Sequence, residues 1–324
     1  MKRAILLIGA NGQLGRELNN TLPRLGEVTS LDRQKLDLAR PEEIRRAIRS
    51  FRPALIVNAA AYTAVDKAES EQALARAVNA EAPAVMAQEA KKIGSGLVHY
   101  STDYVFDGMK TAPYNEEDRT SPQNVYGKTK LEGENAIFES GVPHLIFRTA
   151  WVYATEGRNF LLTILRLATQ REELRIVCDQ TGAPTWSREI AEATTQILSK
   201  VWARIDGPLS LSGVSGIYHM TAGGETTWFD FAKAVLEKGL AMEASTPWFA
   251  AATGNLPLIA RRILAIPTKD YPTAAARPAY SVLSNNRLAH TFSLQLSDWR
   301  AQLNSVFDVY PGSSSNAKIN AARR

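Results

Sequence analysis

The chain carries one cysteine, Cys178, in 324 residues. A single thiol forms no internal disulfide, which excludes a disulfide-stapled scaffold and makes a reducing cytoplasm the expected location. Histidine is almost as scarce: the four copies show no metal-ligand spacing, so no bound metal is expected. Long apolar runs are also missing, and no stretch approaches the roughly 20 residues of a membrane span. Met1-Lys2-Arg3 before an apolar run has the charge of a signal-peptide opening, but the run spans only Ala4 to Ile8 and enters a glycine turn, so that reading is rejected. Neither sign of charge dominates. Lys and Arg total 38 against 33 Asp and Glu, a net charge of +5, and no basic run marks a nucleic-acid surface. The small excess suits an anionic substrate, and scattered surface charges account for it equally well. No internal repeat is present.

What is there is a chain of ordinary globular composition, 45% hydrophobic and 22% charged. Its length implies two lobes, since single cores stop growing near about 250–300 residues. The strand-length run Ala4-Ile5-Leu6-Leu7-Ile8 leads directly into Gly9-Ala10-Asn11-Gly12-Gln13-Leu14-Gly15, and Arg16 to Leu22 follows at helical spacing until Pro23. In a strand–turn–helix unit each glycine of G-x-x-G-x-x-G has a mechanical reading. Gly9 permits the tight turn, Gly12 lets backbone N–H groups approach a pyrophosphate, and Gly15 lets helix and strand pack closely. A second strand, Val28 to Leu31, ends at Asp32, 17 residues past Gly15, where an acid hydrogen-bonds an adenosine ribose. This combination predicts a dinucleotide site.

Apolar strands then alternate with helical patterns. Helices are expected over Pro41–Arg49, Glu69–Ile93 with an interruption at Pro83, and Pro122–Ser140; strands over Ala54–Asn58, Leu97–Tyr100 and His144–Phe147. The alternation predicts an α/β fold, a Rossmann-type doubly wound parallel sheet. Gly9, Asp32, Asn58, Ser101 and Arg148 all fall near strand carboxyl ends, where such sheets bind ligands. Past Arg148 the pattern loosens: helices at Asn159–Thr169, Ser187–Ala203 and Trp228–Lys238, short strands at Leu174–Cys178 and Gly216–His219, and an irregular stretch from Ser245 to Tyr280. The expected division is a dinucleotide domain over 1–170 with returning segments about 174–220. A smaller, mixed α/β substrate lobe covers about 221–310 with parts of 150–187, and 311–324 is an unstructured tail.

Two segments carry the chemistry. Ser101-Thr102-Asp103 is followed by Tyr126-Gly127-Lys128-Thr129-Lys130. In a helix Tyr126 and Lys130 share one face a turn apart. An ammonium beside a phenol lowers the phenol pKa from about 10, and a Ser or Thr hydroxyl supplies a second hydrogen bond to a carbonyl under reduction. Spacing alone also fits a surface Tyr and Lys; the dinucleotide context decides for the catalytic reading.

These residues, together with Val57 to Asp66, His99 to Phe106, Asn124 to Lys130, Phe147 to Tyr153, Gln180 to Thr185 and Ala276 to Pro278, resemble the extended short-chain dehydrogenase/reductase superfamily. Within it they are most similar to the dTDP-4-dehydrorhamnose reductase family, from Ala4 to about Phe307. The resemblance implies NADPH- or NADH-dependent reduction of the C4 ketone of dTDP-4-dehydro-6-deoxy-L-mannose to dTDP-L-rhamnose, for surface polysaccharide. By position it makes Thr102, Tyr126 and Lys130 catalytic, with Tyr126 donating the proton, Thr102 bonding the oxygen, and Lys130 biasing Tyr126 toward phenolate. It gives the pyrophosphate to Gly12, Gln13 and Leu14, and the adenosine to Asp32, Asp37 and Leu38. Ala61, Tyr62, Thr63 and Tyr100 line the path to the nicotinamide, and Asp103 and Trp151 touch the sugar nucleotide; core packing is the other reading of Trp151. Arg148 fits a phosphate or a structural carboxylate equally.

Other nucleotide-sugar enzymes and a non-catalytic relative compete with this reading. Dehydratases of the superfamily carry a second acid after Thr-Asp, where this chain has Tyr104. Epimerases match Trp151 and the Gln180 segment poorly. The regulatory β subunit of methionine adenosyltransferase resembles the fold and binds dinucleotide without turnover; the intact Thr102, Tyr126 and Lys130 argue against it. Some members of the reductase family are dimers bridged by Mg²⁺ on glutamates. Glu17 matches one such position, but Arg188 and Arg300 stand at the others. Cations do not ligate a divalent metal, so Mg²⁺ is doubtful and a monomer or weak homodimer is expected. Asp32 favours NADH, whereas Arg33 suits the 2′-phosphate of NADPH.

Overall fold

The computed structural model describes residues 4–203, 211–242 and 246–308; the tail expected at 311–324 lies outside the described residues. Strands β1 (Ala4–Ile8), β2 (Glu27–Leu31), β3 (Leu55–Asn58), β4 (Gly96–Thr102) and β5 (His144–Thr149) join an edge strand, Gly216–His219. They form one sheet in the order edge strand, β5, β4, β3, β1, β2, parallel throughout. The chain runs outward from β1 to β2, then crosses to β3 and continues the other way. The direction reverses between β1 and β3, which puts the ligand crevice at the carboxyl ends there.

The strands read as continuous apolar runs because both faces are covered. On one face Ile5, Leu7, Val57 and Val98 pack with helix α1 (Gln13–Thr21) and the helix Ser187–Ala203. On the other, Leu6, Ile8, Ile56 and Leu97 pack with helix α2 (Pro41–Phe51), the helix Ala82–Ile93 and Ile137 of the helix Val125–Ser140. A third core gathers Leu161, Ile164, Leu165, Phe231, Val235, Trp299 and Leu303 away from the sheet.

Two expectations are corrected. Pro83 does not interrupt its helix: Gln72–Arg76, a π-helical turn at Ala77–Glu81, and Ala82–Ile93 follow without a break. The wider turn, in which the Ala82 N–H reaches back to the Ala77 carbonyl, absorbs the ring and the missing donor. The stretch from Ser245 to Tyr280 is not irregular throughout. It holds the helix Pro247–Thr253 and the strand Arg262–Ile266, which pairs in parallel with Glu173–Val177. Its pattern is weak because Arg262, Leu264 and Ala265 stay exposed in this isolated pair of strands.

Helices α2 and Ala82–Ile93 are tied by Glu89, a carboxylate 1% exposed. It lies 2.6 Å from Arg49, 2.8 Å from Lys92 and 3.3 Å from Arg45. The Arg49 hydrogen bond, then Lys92, hold its pKa down at about 2. A folded pKa below the unfolded one, about 4.3, contributes stability that is full above the unfolded value and fades as pH falls toward 2. Because the Arg49 and Lys92 heads are solvated, we expect Glu89→Gln to cost about 1–2 kcal/mol at neutral pH. Urea melts of both proteins should converge between about pH 4.5 and 2; a gap that persists at low pH would show that charge is not the cause.

Candidate active site

The crevice is a cavity of about 740 Å³ between the glycine turn, the ends of β3 and β4, and the Tyr126 helix, within the size range of small-molecule sites. Gly9 has a positive φ of 87°, and a Cβ there would lie 2.6 Å from the Ala60 nitrogen. A Cβ on Gly15 would lie 2.0 Å from the Gly9 carbonyl oxygen, so the turn and α1 touch backbone to backbone. Gly15 is outside the lining, since its role is this contact.

Asp32 follows β2 and accepts N–H bonds from Gln34 and Lys35 on one oxygen and from the Asn11 amide, at 2.7 Å, on the other. Arg33 beside it is exposed, with no ion-pair partner among the described residues. Asp37 and Leu38 line the same end of the cavity. Gln13 accepts from the Asn159 amide at 2.8 Å, which couples the glycine turn to the start of the helix Phe160–Ala168. Ala61, Tyr62 and Thr63 line the next section. The π-helical turn supplies their anchor: buried Asn79 bonds both the Tyr62 N–H (2.8 Å) and the Tyr62 carbonyl (3.1 Å), and donates to Thr129 (3.2 Å).

At the inner end Thr102, Tyr126 and Lys130 line the cavity together. Asn124 caps the helix Val125–Ser140 by accepting from the Gly127 N–H, which turns Tyr126 and Lys130 to the cavity. Thr102 donates to Asp103 at 2.9 Å and shares a hydrogen bond with Tyr126. Burial lifts the Tyr126 phenol to about 12, against the easing effect of Thr102. The expected bias toward phenolate is therefore corrected: burial outweighs any cation here, because Lys130 Nζ is turned to the Tyr100 carbonyl, 2.6 Å away, and to His99. Lys130 is itself lowered to about 8 by burial. Tyr126 is thus a phenol with its proton in place. Asp103 is buried and raised to about 6.

Ser101 Oγ, Asp103 Oδ2 and Thr149 Oγ1 are buried without a partner among the described residues, and all three residues line the cavity. Trp151 has a positive φ of 49° and stacks on Trp228 at 3.4 Å, with Phe160 4.4 Å from Trp228. Its ring lies against Gly182, where a Cβ would stand 2.4 Å away. Trp151 is only half-buried, so core packing does not account for it. Arg158, Phe160 and Trp228 also line the cavity and were not expected; the Asn159 cap before an apolar helix was the one available signal. Asn58 and Arg148 are not in the lining. Arg148 is buried against Glu134, 2.6 Å away, which resolves its two readings toward the structural pair.

A parallel sheet with a glycine turn at its switch point, and a Thr, Tyr and Lys set facing it, define a short-chain dehydrogenase/reductase of the extended type. Residues 1–311 match the family described as the RmlD substrate binding domain, and the chain belongs to that family. It is 50% identical over 297 residues to dTDP-4-dehydrorhamnose reductase of Burkholderia thailandensis, covering 91% of this chain and 95% of the relative. It is 42% identical over 311 residues to the reductase of Escherichia coli K12, covering 94% and 98%. The crystal structure of dTDP-4-dehydrorhamnose reductase from Bacillus anthracis in complex with NADP superposes with a TM-score of 0.81, at 32% identity, over 95% of this chain and 99% of that one.

Proposed function

We propose that this protein reduces the C4 ketone of dTDP-4-dehydro-6-deoxy-L-mannose to dTDP-L-rhamnose with NADPH or NADH, in the supply of surface polysaccharide. The observation that carries this reading is the meeting of Thr102, Tyr126 and Lys130 in the cavity that begins at the glycine turn. The bound nicotinamide would supply hydride to the sugar C4. Tyr126 gives its proton to the alkoxide oxygen as it forms, and Thr102 donates to that oxygen; donors placed where charge develops contribute a few kcal/mol each. Lys130 takes the nicotinamide ribose. The spare polar atoms of Ser101, Asp103 and Thr149 suit sugar hydroxyls, and Trp151 closes the sugar pocket. Gly12, Gln13 and Leu14 would hold the pyrophosphate, with Asp32, Arg33, Asp37 and Leu38 at the adenosine. Tyr104 packs its ring edge-on to Tyr126 at 5.5 Å, where an eliminating enzyme would need a second carboxylate.

The same reading gives the sheet with its flanking helices to the cofactor, and the lobe built on Leu161, Phe231 and Trp299 to the sugar nucleotide. No helix among the described residues is long and apolar enough to cross a membrane; we place the reaction in the cytoplasm, in a monomer or weak homodimer. Glu17 is half-buried and close enough to feel Arg188, Glu156 and Glu192. Arg300 lies over the Trp299 ring, and among the described residues no three acids, histidines or cysteines converge. This donor set does not fit a divalent ion.

The test is an assay of the purified chain with the dTDP-ketosugar and each cofactor, in EDTA. We expect both cofactors to be oxidised, with kcat/KM values within about a thousandfold, roughly 4 kcal/mol. Absence of turnover with either would favour the dinucleotide-binding regulatory reading.

A further inference from the structure

At the adenosine end of the cavity the acid after β2 is already engaged. The Gly9 and Ala10 N–H groups both donate to the Leu31 carbonyl, at 2.8 and 3.2 Å. These bonds fasten the glycine turn to the last residue of β2 and set Asn11 beside Asp32. Arg16 Nε donates to the Asn11 carbonyl at 3.2 Å, and the Gly12 N–H donates to the Gly9 carbonyl at 3.0 Å, so the turn is held through its backbone. The Asn11 side-chain amide then donates to Asp32 Oδ2 at 2.7 Å. Asn11 and Asp32 both line the cavity, yet none of the roles above employs Asn11.

A carboxylate offers about four lone-pair sites. On Asp32 three are taken: the Gln34 and Lys35 N–H groups donate to Oδ1 at 3.0 and 3.1 Å, and the Asn11 amide donates to Oδ2. The site left over is on Oδ2. An acid at this position discriminates against a 2′-phosphate in two ways, by accepting from ribose hydroxyls and by repelling the phosphate charge. Asn11 weakens both. Its N–H occupies a site that a second hydroxyl would use, and it turns the positive end of its dipole to the carboxylate. The exposed Arg33, next in the chain, supplies a cation for a phosphate. The two backbone bonds to Oδ1 hold the carboxylate in place whether or not Asn11 is present.

We propose that Asn11 is a specificity-determining residue that acts through Asp32. By holding Oδ2, its amide leaves the acid able to take a single ribose hydroxyl, and so lets the same site accept a dinucleotide with or without a 2′-phosphate. The sequence pattern sets Asp32 and Arg33 in opposition; Asn11 is what moderates the acid and keeps that opposition balanced. A residue at this position that cannot donate would return Asp32 to its full strength and turn the site toward NADH. The inference rests on the dinucleotide half of the reductase reading and not on the identity of the sugar.

The experiment is calorimetric titration of the full chain with NADH and with NADPH, in the absence of sugar. The parent should bind both. Asn11→Ala should tighten NADH and weaken NADPH, raising the ratio of the NADPH to the NADH dissociation constant by about tenfold, the scale of one charge-assisted hydrogen bond. Asn11→Leu, close to asparagine in size and equally unable to donate, should do the same, and decides the matter if Asn11→Ala does not fold. A ratio unmoved in either variant overturns the proposal. So does a loss of affinity shared equally by the two cofactors, which would show only a disturbed turn. In an Asp32→Ala background, adding Asn11→Ala should leave the ratio where it is, because the residue it acts through is gone. A shift that survives there at full size overturns the proposal. If the parent binds neither cofactor, the reductase reading falls and this inference with it. If Asn11→Ala shifts the ratio as expected and the chain does not reduce the ketosugar, the functional reading fails on the sugar side and the role of Asn11 stands.

Discussion

Tyr126→Phe should lower kcat by about a hundredfold or more while cofactor affinity stays within a few-fold, the usual scale for loss of a general acid. The phenol loses one atom, and its ring keeps the edge-on contact with Tyr104, so folding and the dinucleotide end are untouched. The pH dependence follows from the direction of the shift. Burial raises Tyr126 to about 12, so the donor form is full throughout the neutral range and is lost only as pH climbs through that value. An alkaline limb near pH 8 would report Lys130, which burial lowers to about 8, and not Tyr126. Pre-steady-state rates with the dTDP-ketosugar, beside fluorescence titration of NADPH, measure both quantities. Activity within a few-fold of the parent would remove Tyr126 from the acid role.

That direction was not legible in the sequence, and the reason is physical. The i, i+4 spacing of Tyr126 and Lys130 shows that the two share a helix face. It does not show that the face is buried, nor that β4 presents the Tyr100 carbonyl and His99 as nearer partners for the lysine. The glycine-turn end of the cavity was far more readable. Gly12 and Gly15 approach the backbone of Gly9 a few residues back, Gly9 itself supplies the positive φ of the turn, and Asp32 comes one strand later, so local pattern and three-dimensional role coincide. Cavity residues beside the third core were the hardest to see. Arg158, Phe160 and Trp228 reach the crevice only because the third core packs where it does. Trp228 begins an ordinary amphipathic helix, and nothing in its sequence separates a ring stacked on Trp151 from one buried below it. Asn79 was hidden for another reason. It lies in a π-helical turn, and a period of 3.6 residues assigns its side chain to the wrong side of the helix.

One consequence of the helix geometry carries the second large effect. Tyr126, Lys130 and Glu134 are spaced four apart, so a single face of the helix Val125–Ser140 bears the phenol, the lysine and a buried carboxylate. Glu134 pairs side-on with Arg148 of β5, Nε to Oε1 at 3.0 Å and Nη2 to Oε2 at 2.6 Å, with the two side chains 1% and 3% exposed. The guanidinium also lies over the Phe106 ring at 5.1 Å. This pair fixes the helix to the sheet one turn beyond Lys130, which sets how far Tyr126 stands from Thr102. Glu134→Leu leaves a buried guanidinium without its counter-charge and should destabilise the protein by about 3–5 kcal/mol. Arg148→Met alone should cost a similar amount. The double variant replaces both charges with apolar volume and should recover most of the loss, since a buried pair often does no better than well-packed apolar groups. Denaturant melts of the four proteins give the coupling energy directly. Single losses that simply add in the double variant would show that the two residues act independently. Turnover separates stability from placement. If the pair serves to aim the catalytic face, the double variant should melt near the parent yet keep a kcat several-fold lower, because apolar side chains hold the helix to the sheet without fixing its rotation.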